Sequence, residues 1–385
     1  MKILITSQSF SPQVGGVSQV VYQHAKHFVS EGHDVTVVTE FEELRDFDII
    51  DGIKVKEFKV KGGPLISNFY RGEILNYFRF LKKAYEEYDI IFFHAWQIWA
   101  TDLVFFLKLN NQAGAKLMLV SHCAPSTLWN SIFQIGRSIL LSPYIYFFMP
   151  ILMKKFDKMI FLSDKKNGDR HRDHKFAAKK FNKKICTIPN GIPDVPEKIS
   201  PSAKIHDLYL SIKNKKILLF VANFVEGKNQ KLAIEIYENL SAQSESHLLL
   251  IGNSRNTYYK KLISIVKEKN LEKEISVLHD INRRDIFWLY SKSYLTLFTS
   301  KTECSPLAVL ESLAFGKPVV ATDVGCLSEW EGVSVCYSPK EITGEVDALL
   351  KNHNYYTKQQ MLISQNKDLN SWKEVMKKYS QLLIN

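Results

Sequence analysis

Short apolar runs recur along the whole chain, separated by longer stretches in which apolar residues return with a helical period. KILITS (2–7) predicts a strand, and FSPQVGGVSQVVYQHAKHFVSEGHDVTVVT (10–39) reads as a loop, an amphipathic helix and a second strand. DIIFFH (89–94), KLMLVSH (116–122), KMIFLS (158–163) and KICTIPNGI (184–192) continue the strand series. The pattern lapses over PDVPEKISPSAK (193–204), where three prolines and little apolar periodicity predict a linker. KILLFVA (216–222), HLLLIG (247–252), EISVLH (274–279), SYLTLFTS (293–300) and PVVATD (318–323) then restart the alternation. Strands alternating with helices predict βαβ units and parallel sheets, so the class is α/β. At 385 residues the chain exceeds one ordinary core of roughly 150 residues. We therefore expect two doubly wound domains facing a central cleft, over 1–196 and 205–369, with a last helix over 370–385 carried by NSWKEVMKKYSQLLI (370–384).

The segment TECSPLAVLESLAFGKPVVATD (302–323) concentrates the candidate chemistry. Glu303 follows an apolar strand, and Glu311 lies inside a helix that Pro306 is expected to open at its first position. Both glutamates are expected to point toward one crevice. A turn from a strand end into a helix N-terminus offers backbone N–H groups and the positive end of the helix dipole, which suits a phosphate. Carboxylates accept hydrogen bonds from hydroxyls. Two of them flanking such a turn suit a ligand with sugar-like hydroxyls on both sides of a phosphate, as in a nucleotide sugar.

This string resembles the E-x7-E signature of the retaining glycosyltransferases of family 4, whose architecture is the two-domain GT-B fold. The resemblance implies that Glu303 lies beside the donor sugar, that Glu311 binds the ribose, and that the turn Cys304, Ser305, Pro306 and Leu307 holds the diphosphate through backbone N–H groups. Gly15 and Gly16, after the first strand and before a helix, match the family's N-terminal glycine loop; lacking Cβ, they are expected to allow close approach of a ligand and positive φ. His94 and His122 both end strands, where a parallel sheet faces its ligand. Of the two, His122 matches the family's active-site histidine. For each, a strand-end histidine satisfied by a neighbouring carbonyl is the alternative. Lys228 is implied to reach the diphosphate, but the arginine that usually cooperates with it is replaced by Asn223, with Arg255 as a candidate substitute. The last helix resembles the family helix that crosses back to the N-terminal domain.

The implied function is retaining transfer of a hexosyl or N-acetylhexosaminyl group from a nucleotide sugar, a UDP- or GDP-sugar by expectation, to a glycan or lipid-linked acceptor in surface polysaccharide synthesis. The acceptor would attack from the face the diphosphate leaves, with a donor phosphate oxygen helping to take its proton. No protein nucleophile, metal or cofactor is expected; the turn dipole and Lys228 would stabilise the leaving diphosphate. Asp46 and Asp48 form a D-x-D pattern within an acidic connection and read as solvated surface. Two alternatives stay open: a catalytically silent GT-B subunit, suggested by Asn223, and a nucleotide-sugar epimerase of similar architecture.

Charge adds a second theme. The formal balance is +11, with Lys and Arg concentrated in 154–184. Directly before it, SILLSPYIYFFMPILM (138–153) is apolar and aromatic but interrupted by Pro143 and Pro150, so it does not read as a bilayer span. Such a pair suits an anionic membrane surface, where each Lys or Arg near lipid contributes about 1 kcal/mol. A buried helix followed by a solvated one fits the same residues. No motif or stacking platform for nucleic acid accompanies the charge, so none is expected as a partner. The first strand starts without an extended apolar h-region, so no secretory signal is expected. The five cysteines, Cys123, Cys186, Cys304, Cys326 and Cys336, form no C-x-x-C pair and suggest a reducing compartment, hence a cytoplasmic location, peripheral on the inner face of the membrane if lipid is bound.

Overall fold

A computed structural model describes residues 1–13, 15–63, 69–109, 114–123, 142–164, 172–253 and 255–384. The chain forms two compact units, Met1–Asn190 with Val375–Asn385, and Gly191–Glu374. The stretch from 193 runs directly into the helix Ala203–Ile212, which belongs to the second unit.

In the first unit the strands are β1 (Lys2–Thr6), β2 (Asp34–Glu40), β3 (Ile49–Ile50), β4 (Ile53–Phe58), β5 (Val60–Lys61), β6 (Arg71–Gly72), β7 (Ile90–His94), β8 (Lys116–Ser121), β9 (Lys158–Phe161) and β10 (Ile185–Thr187). Eight of them form one sheet in the order β10-β9-β8-β7-β1-β2-β4-β3. Its pairs are parallel except β3 with β4; β5 and β6 form a separate small ribbon. Ile3, Leu4 and Ile5 of β1 and Ile91, Phe92 and Phe93 of β7 are fully buried, because a parallel sheet is covered on both faces. The helix Gly16–Ser30 buries Val21, Ala25 and Phe28, an apolar stripe of helical spacing. It ends where Gly32 takes φ +83, with Gly32 N–H bonded to Val29 O at 2.9 Å and His33 N–H to Phe28 O at 3.1 Å.

The second unit contains β11 (Lys216–Val221), β12 (Ser246–Gly252), β13 (Ile275–His279), β14 (Leu295–Phe298), β15 (Val319–Thr322) and β16 (Val333–Cys336). They form an all-parallel sheet in the order β13-β12-β11-β14-β15-β16. Each sheet reverses its direction of growth once, between β1 and β7 in the first unit and between β11 and β14 in the second. Loops at the carboxyl ends of such neighbours diverge and leave a crevice, which is where open α/β sheets bind ligands. No helix among the described residues is long and apolar enough to cross a membrane.

Candidate functional site

At the reversal point of the second unit, the loops after β11, β14 and β15 are bonded to one another. Lys301 N–H donates to Gly227 O at 2.9 Å, Thr299 Oγ1 to Asn229 O at 2.8 Å and Thr322 Oγ1 to Ser300 O at 2.6 Å. The buried Gln230 amide donates to the carbonyl of Asn223 at 3.0 Å, fixing the path of the β11 loop, while Asn223 itself is exposed. A short 3₁₀ turn, Glu226–Lys228, closes before Asn229, whose φ of 56° is one Asn tolerates. This turn delivers the Lys228 ammonium to the Glu303 carboxylate, and the two form an ion pair. The lysine side chain is 27% exposed and the glutamate 10%, so the pair lies at the rim of the protein interior. Such a pair holds each charge in place without much net stabilisation.

The turn Cys304–Leu307 is braced from behind. Gly325, at φ +57, lies so close that a Cβ there would stand 2.0 Å from Cys304 O, and Cys326 N–H donates to that same oxygen at 2.9 Å. The helix Leu307–Ala314 begins one position later than the sequence suggests: Pro306 caps it, with an extended ψ of 120°. Its carbonyl, not its ring nitrogen, takes part in the first turn, accepting from Val309 N–H at 3.2 Å. Leu307 and Ala308 therefore stand ahead of the first such bond, and their own N–H groups have no acceptor within the helix.

Glu311, the fifth residue of this helix, is buried, and its carboxylate accepts from Arg283 Nη2 at 2.8 Å. Burial raises the Glu311 carboxyl above the ordinary glutamate range; the Arg283 charge, its hydrogen bond and Tyr290 oppose that rise. Arg283 opens the helix Arg283–Lys292, which Asn282 caps by accepting from Asp285 N–H at 2.8 Å. Its guanidinium also lies over the Phe287 ring, 4.6 Å from the centroid. Sequence reasoning did not single out Arg283. Its signal was its place, four residues beyond β13 at the carboxyl edge of the sheet. Arg255, the substitute cation considered above, instead donates from Nε to His279 Nε2 at 2.6 Å.

In the first unit, β7 and β8 are adjacent and bring His94 and His122 together: His94 Nδ1 and His122 Nε2 are 3.0 Å apart. His94 is fully buried and His122 partly so. His24, from the helix Gly16–Ser30, meets His94 edge-on at 5.1 Å, and the Tyr379 ring covers His24 at 4.3 Å. Burial, reinforced by the other histidines, pushes His24 down to about 3 and His94 well below its usual value. His94 therefore meets a neighbouring side chain, not a carbonyl, at Nδ1, while its buried Nε2 has no hydrogen-bond partner among the described residues. Gly15 and Gly16 precede and open that same helix. Neither takes the positive φ expected of them: Gly15 is extended at φ −166°, and a Cβ on either would meet nothing within 4 Å. Open space, not backbone strain, is what they provide.

Other sequence candidates fall away from these loops or are only partly described. Asp46 and Asp48 are exposed. In the stretch 138–153, residues 138–141 lie outside the described residues, as do 165–171 of the basic run. Over the rest, Tyr144, Ile145, Met149, Leu152 and Met153 are buried, whereas Tyr146, Phe147 and Ile151 are exposed at 61%, 72% and 45%.

Comparison with known proteins agrees with this organisation. The chain matches the family model for Glycosyltransferase Family 4 over residues 14–194 and that for Glycosyl transferases group 1 over residues 202–368. A capsular polysaccharide biosynthesis glycosyltransferase, CapH of Staphylococcus aureus, is 28% identical over 151 residues, 38% of this chain and 39% of that protein. The chain thus aligns with about two fifths of that curated relative. Among solved structures, sucrose-phosphate synthase from Thermosynechococcus elongatus superposes with a TM-score of 0.76 at 17% identity, covering 99% of this chain and 98% of that one. HepE of Anabaena, solved in complex with UDP and glucose, gives 0.70 at 17% identity, covering 100% and 99%. These likenesses identify the fold as GT-B.

Proposed function

Because the chain belongs to the group 1, family 4 glycosyltransferases, we propose that it moves a sugar from a nucleotide-sugar donor to a hydroxyl of a glycan or lipid-linked glycan, with retention at the anomeric carbon. The observation that carries this reading is the pairing of charges at the reversal point of the second sheet, Lys228 with Glu303 and Arg283 with Glu311, on either side of the Cys304–Leu307 turn. In this reading the N–H groups at the start of the helix Leu307–Ala314 hold the diphosphate, and Lys228 leaves Glu303 to meet its charge. Glu303, relieved of the ammonium, accepts from donor-sugar hydroxyls. Glu311, oriented by Arg283, accepts from the ribose. Asn223 offers an amide where the family pattern carries an arginine, so Lys228 and the helix terminus supply the charge that stabilises the leaving diphosphate. In the first unit, we assign Gly15 and Gly16 to the family's glycine loop and His122 to its active-site histidine.

A UDP- or GDP-sugar is the donor class we favour, with a hexosyl or N-acetylhexosaminyl group, no metal requirement, and surface polysaccharide as the product class; the resemblance to CapH supports the last point. The work site we favour is the cytoplasmic face of the cell membrane, where Phe147, Ile151 and Lys154 present an exposed apolar and basic stripe to anionic lipid.

A thermal-shift screen against UDP-, GDP-, ADP- and CMP-sugars tests the reading. A ligand at about 100 times its dissociation constant stabilises by about 2.7 kcal/mol, so a cognate donor raises the melting temperature. Silence across the panel would instead support the second reading that Asn223 favours, a GT-B subunit that binds a partner enzyme without catalysing transfer.

A further inference from the structure

We propose that His94 is a positioning residue for His122: it donates from Nδ1 to His122 Nε2 and so holds His122 in the tautomer that carries its proton on Nδ1. The inference rests on the reading that His122 serves the sugar-transfer site. Its geometric basis is the 3.0 Å approach of the two nitrogens. It follows from the parallel register in which His94, the last residue of β7, lies opposite Val120 of β8, two residues before His122.

Two neutral rings share one proton across such a contact, and either could own it. The far side of His94 decides. Its Nε2 is fully buried and has no hydrogen-bond partner among the described residues. If the bridging proton belonged to His122, the His94 proton would sit on that Nε2 as a buried N–H with nothing to receive it. Orphaned buried N–H groups are rarer than under-satisfied acceptors. Placing the His94 proton on Nδ1 avoids the orphan and directs the bond toward His122.

The groups around His94 favour its neutral state. His24 packs edge-on against it, and Tyr379 lies against His24, so neither ring brings a negative charge to His94. Burial accordingly keeps His94 uncharged. With His122 Nε2 engaged as an acceptor, a second proton cannot enter there while the bond persists. In this tautomer the His122 proton lies on Nδ1, away from the nitrogen that faces His94. That suits hydrogen bonding to a sugar or acceptor hydroxyl, and it does not suit proton abstraction through Nε2. His94 touches no reacting atom in this scheme; it acts through His122.

The test begins with wild-type protein labelled with ¹⁵N-histidine. Two-bond proton–nitrogen correlations, assigned by their loss in His122→Gln, report which nitrogen of His122 is protonated. We expect a protonated Nδ1 and a bare Nε2; a proton on Nε2, or fast exchange between tautomers, overturns the proposal. The second arm measures release of nucleoside diphosphate from the sugar nucleotide that gives the largest thermal shift. Loss of one hydrogen bond corresponds to about tenfold. His94→Leu, which has no donor, should lower kcat by about that factor while leaving donor KM within about twofold. His94→Asn, whose amide N–H falls near the place of Nδ1, should recover most of the loss. Wild-type kcat in the leucine variant, or no recovery with asparagine, also overturns it. His122→Ala separates the two claims. Full turnover there removes His122 from the reaction, while the spectra still decide which ring donates.

Discussion

The Arg283 guanidinium and the Glu311 carboxylate meet at 2.8 Å, an ion pair between the first residue of one helix and the fifth of another. The glutamate is almost wholly buried, so the arginine is what makes its charge tolerable there. If Glu311 binds the ribose, Glu311→Ala should weaken nucleoside diphosphate binding on the order of tenfold to a hundredfold, since hydrogen bonds to charged groups are worth about 1.5–3 kcal/mol. Arg283→Leu should weaken it in the same direction without removing any contact to the hydroxyls. Calorimetry that finds both variants binding as wild type does would withdraw the assignment.

The same pair predicts a pH dependence. Burial holds the Glu311 carboxyl above the usual glutamate range. As pH falls through that raised value the carboxylate takes up a proton and becomes a poorer acceptor, so affinity for the nucleoside diphosphate should fall toward acid. Glu311→Gln should lack this component. The ratio of wild-type to variant affinity cancels the titration of the ligand's own phosphate; a ratio constant from neutral pH to about 4 would contradict the prediction.

Lys228 has two anions to choose between in the proposed cycle, Glu303 and the diphosphate. Lys228→Ala should therefore weaken diphosphate binding but not nucleoside binding. Glu303→Gln removes a competitor for the ammonium, so it should preserve or strengthen bare diphosphate binding while lowering sugar transfer. Asn223→Arg adds a cation beside the same loop and should strengthen diphosphate binding. Equal loss of diphosphate and nucleoside affinity in Lys228→Ala would instead point to a folding defect of the loop.

Much of this site was legible because its residues lie next to strand ends, which the alternation of apolar runs marks directly. Glu303 and Lys228 follow strands and stand out in that pattern, whereas Glu311 lies inside a helix and was marked by the family resemblance of the string around it. Arg283 was not legible, because its importance comes from a contact between helices separated by strand β14, and no local period encodes it. The His94–His122 contact has the same character: both ends were visible, but their contact depends on β7 and β8 being neighbours in register. Pro306 shows a finer limit. A proline near a helix start is expected at the first helical position, yet here the tight turn leaves it extended as the cap.

Asp102 gives a stability prediction in the first unit. It is buried, accepts from Tyr144 Oη at 2.6 Å and Tyr70 Oη at 2.9 Å, and burial pushes its carboxyl up to about 7 despite those bonds. The folded chain thus keeps a proton that the unfolded chain loses near pH 3.9. Stability from this group is fully present below about pH 4 and is lost as pH rises toward 7, beyond which it no longer changes. Asp102→Asn removes the titration, so the melting temperature of the variant relative to wild type should rise from pH 4 to 7. A parallel pair of curves over that range would show that Asp102 is ionised in the folded protein.

The exposed stripe predicts where the protein works. Phe147, Ile151 and Lys154 project from the two short helical turns Tyr144–Phe148 and Met149–Met153 and their end, while Ile145, Met149 and Leu152 of the same turns are buried. Lys179, Lys180 and Lys183 are also exposed, whereas the Lys155 ammonium is bound to Leu107 O at 2.7 Å and is not offered to a partner. Attraction of such a surface to anionic lipid is partly electrostatic, so it should weaken as salt rises and the Debye length shrinks to about 3 Å at 1 M. Phe147→Ser with Ile151→Ser should reduce cosedimentation with anionic vesicles at every salt concentration, because these residues supply the apolar contact. Lys154→Glu with Lys179→Glu should reduce it chiefly at low salt. Neither pair should alter the thermal shift given by a nucleotide sugar, since the proposed nucleotide-binding loops lie in the other unit. Wild-type protein that remains in the supernatant with anionic vesicles at low salt would remove the membrane from the proposed function and make a soluble acceptor the better reading.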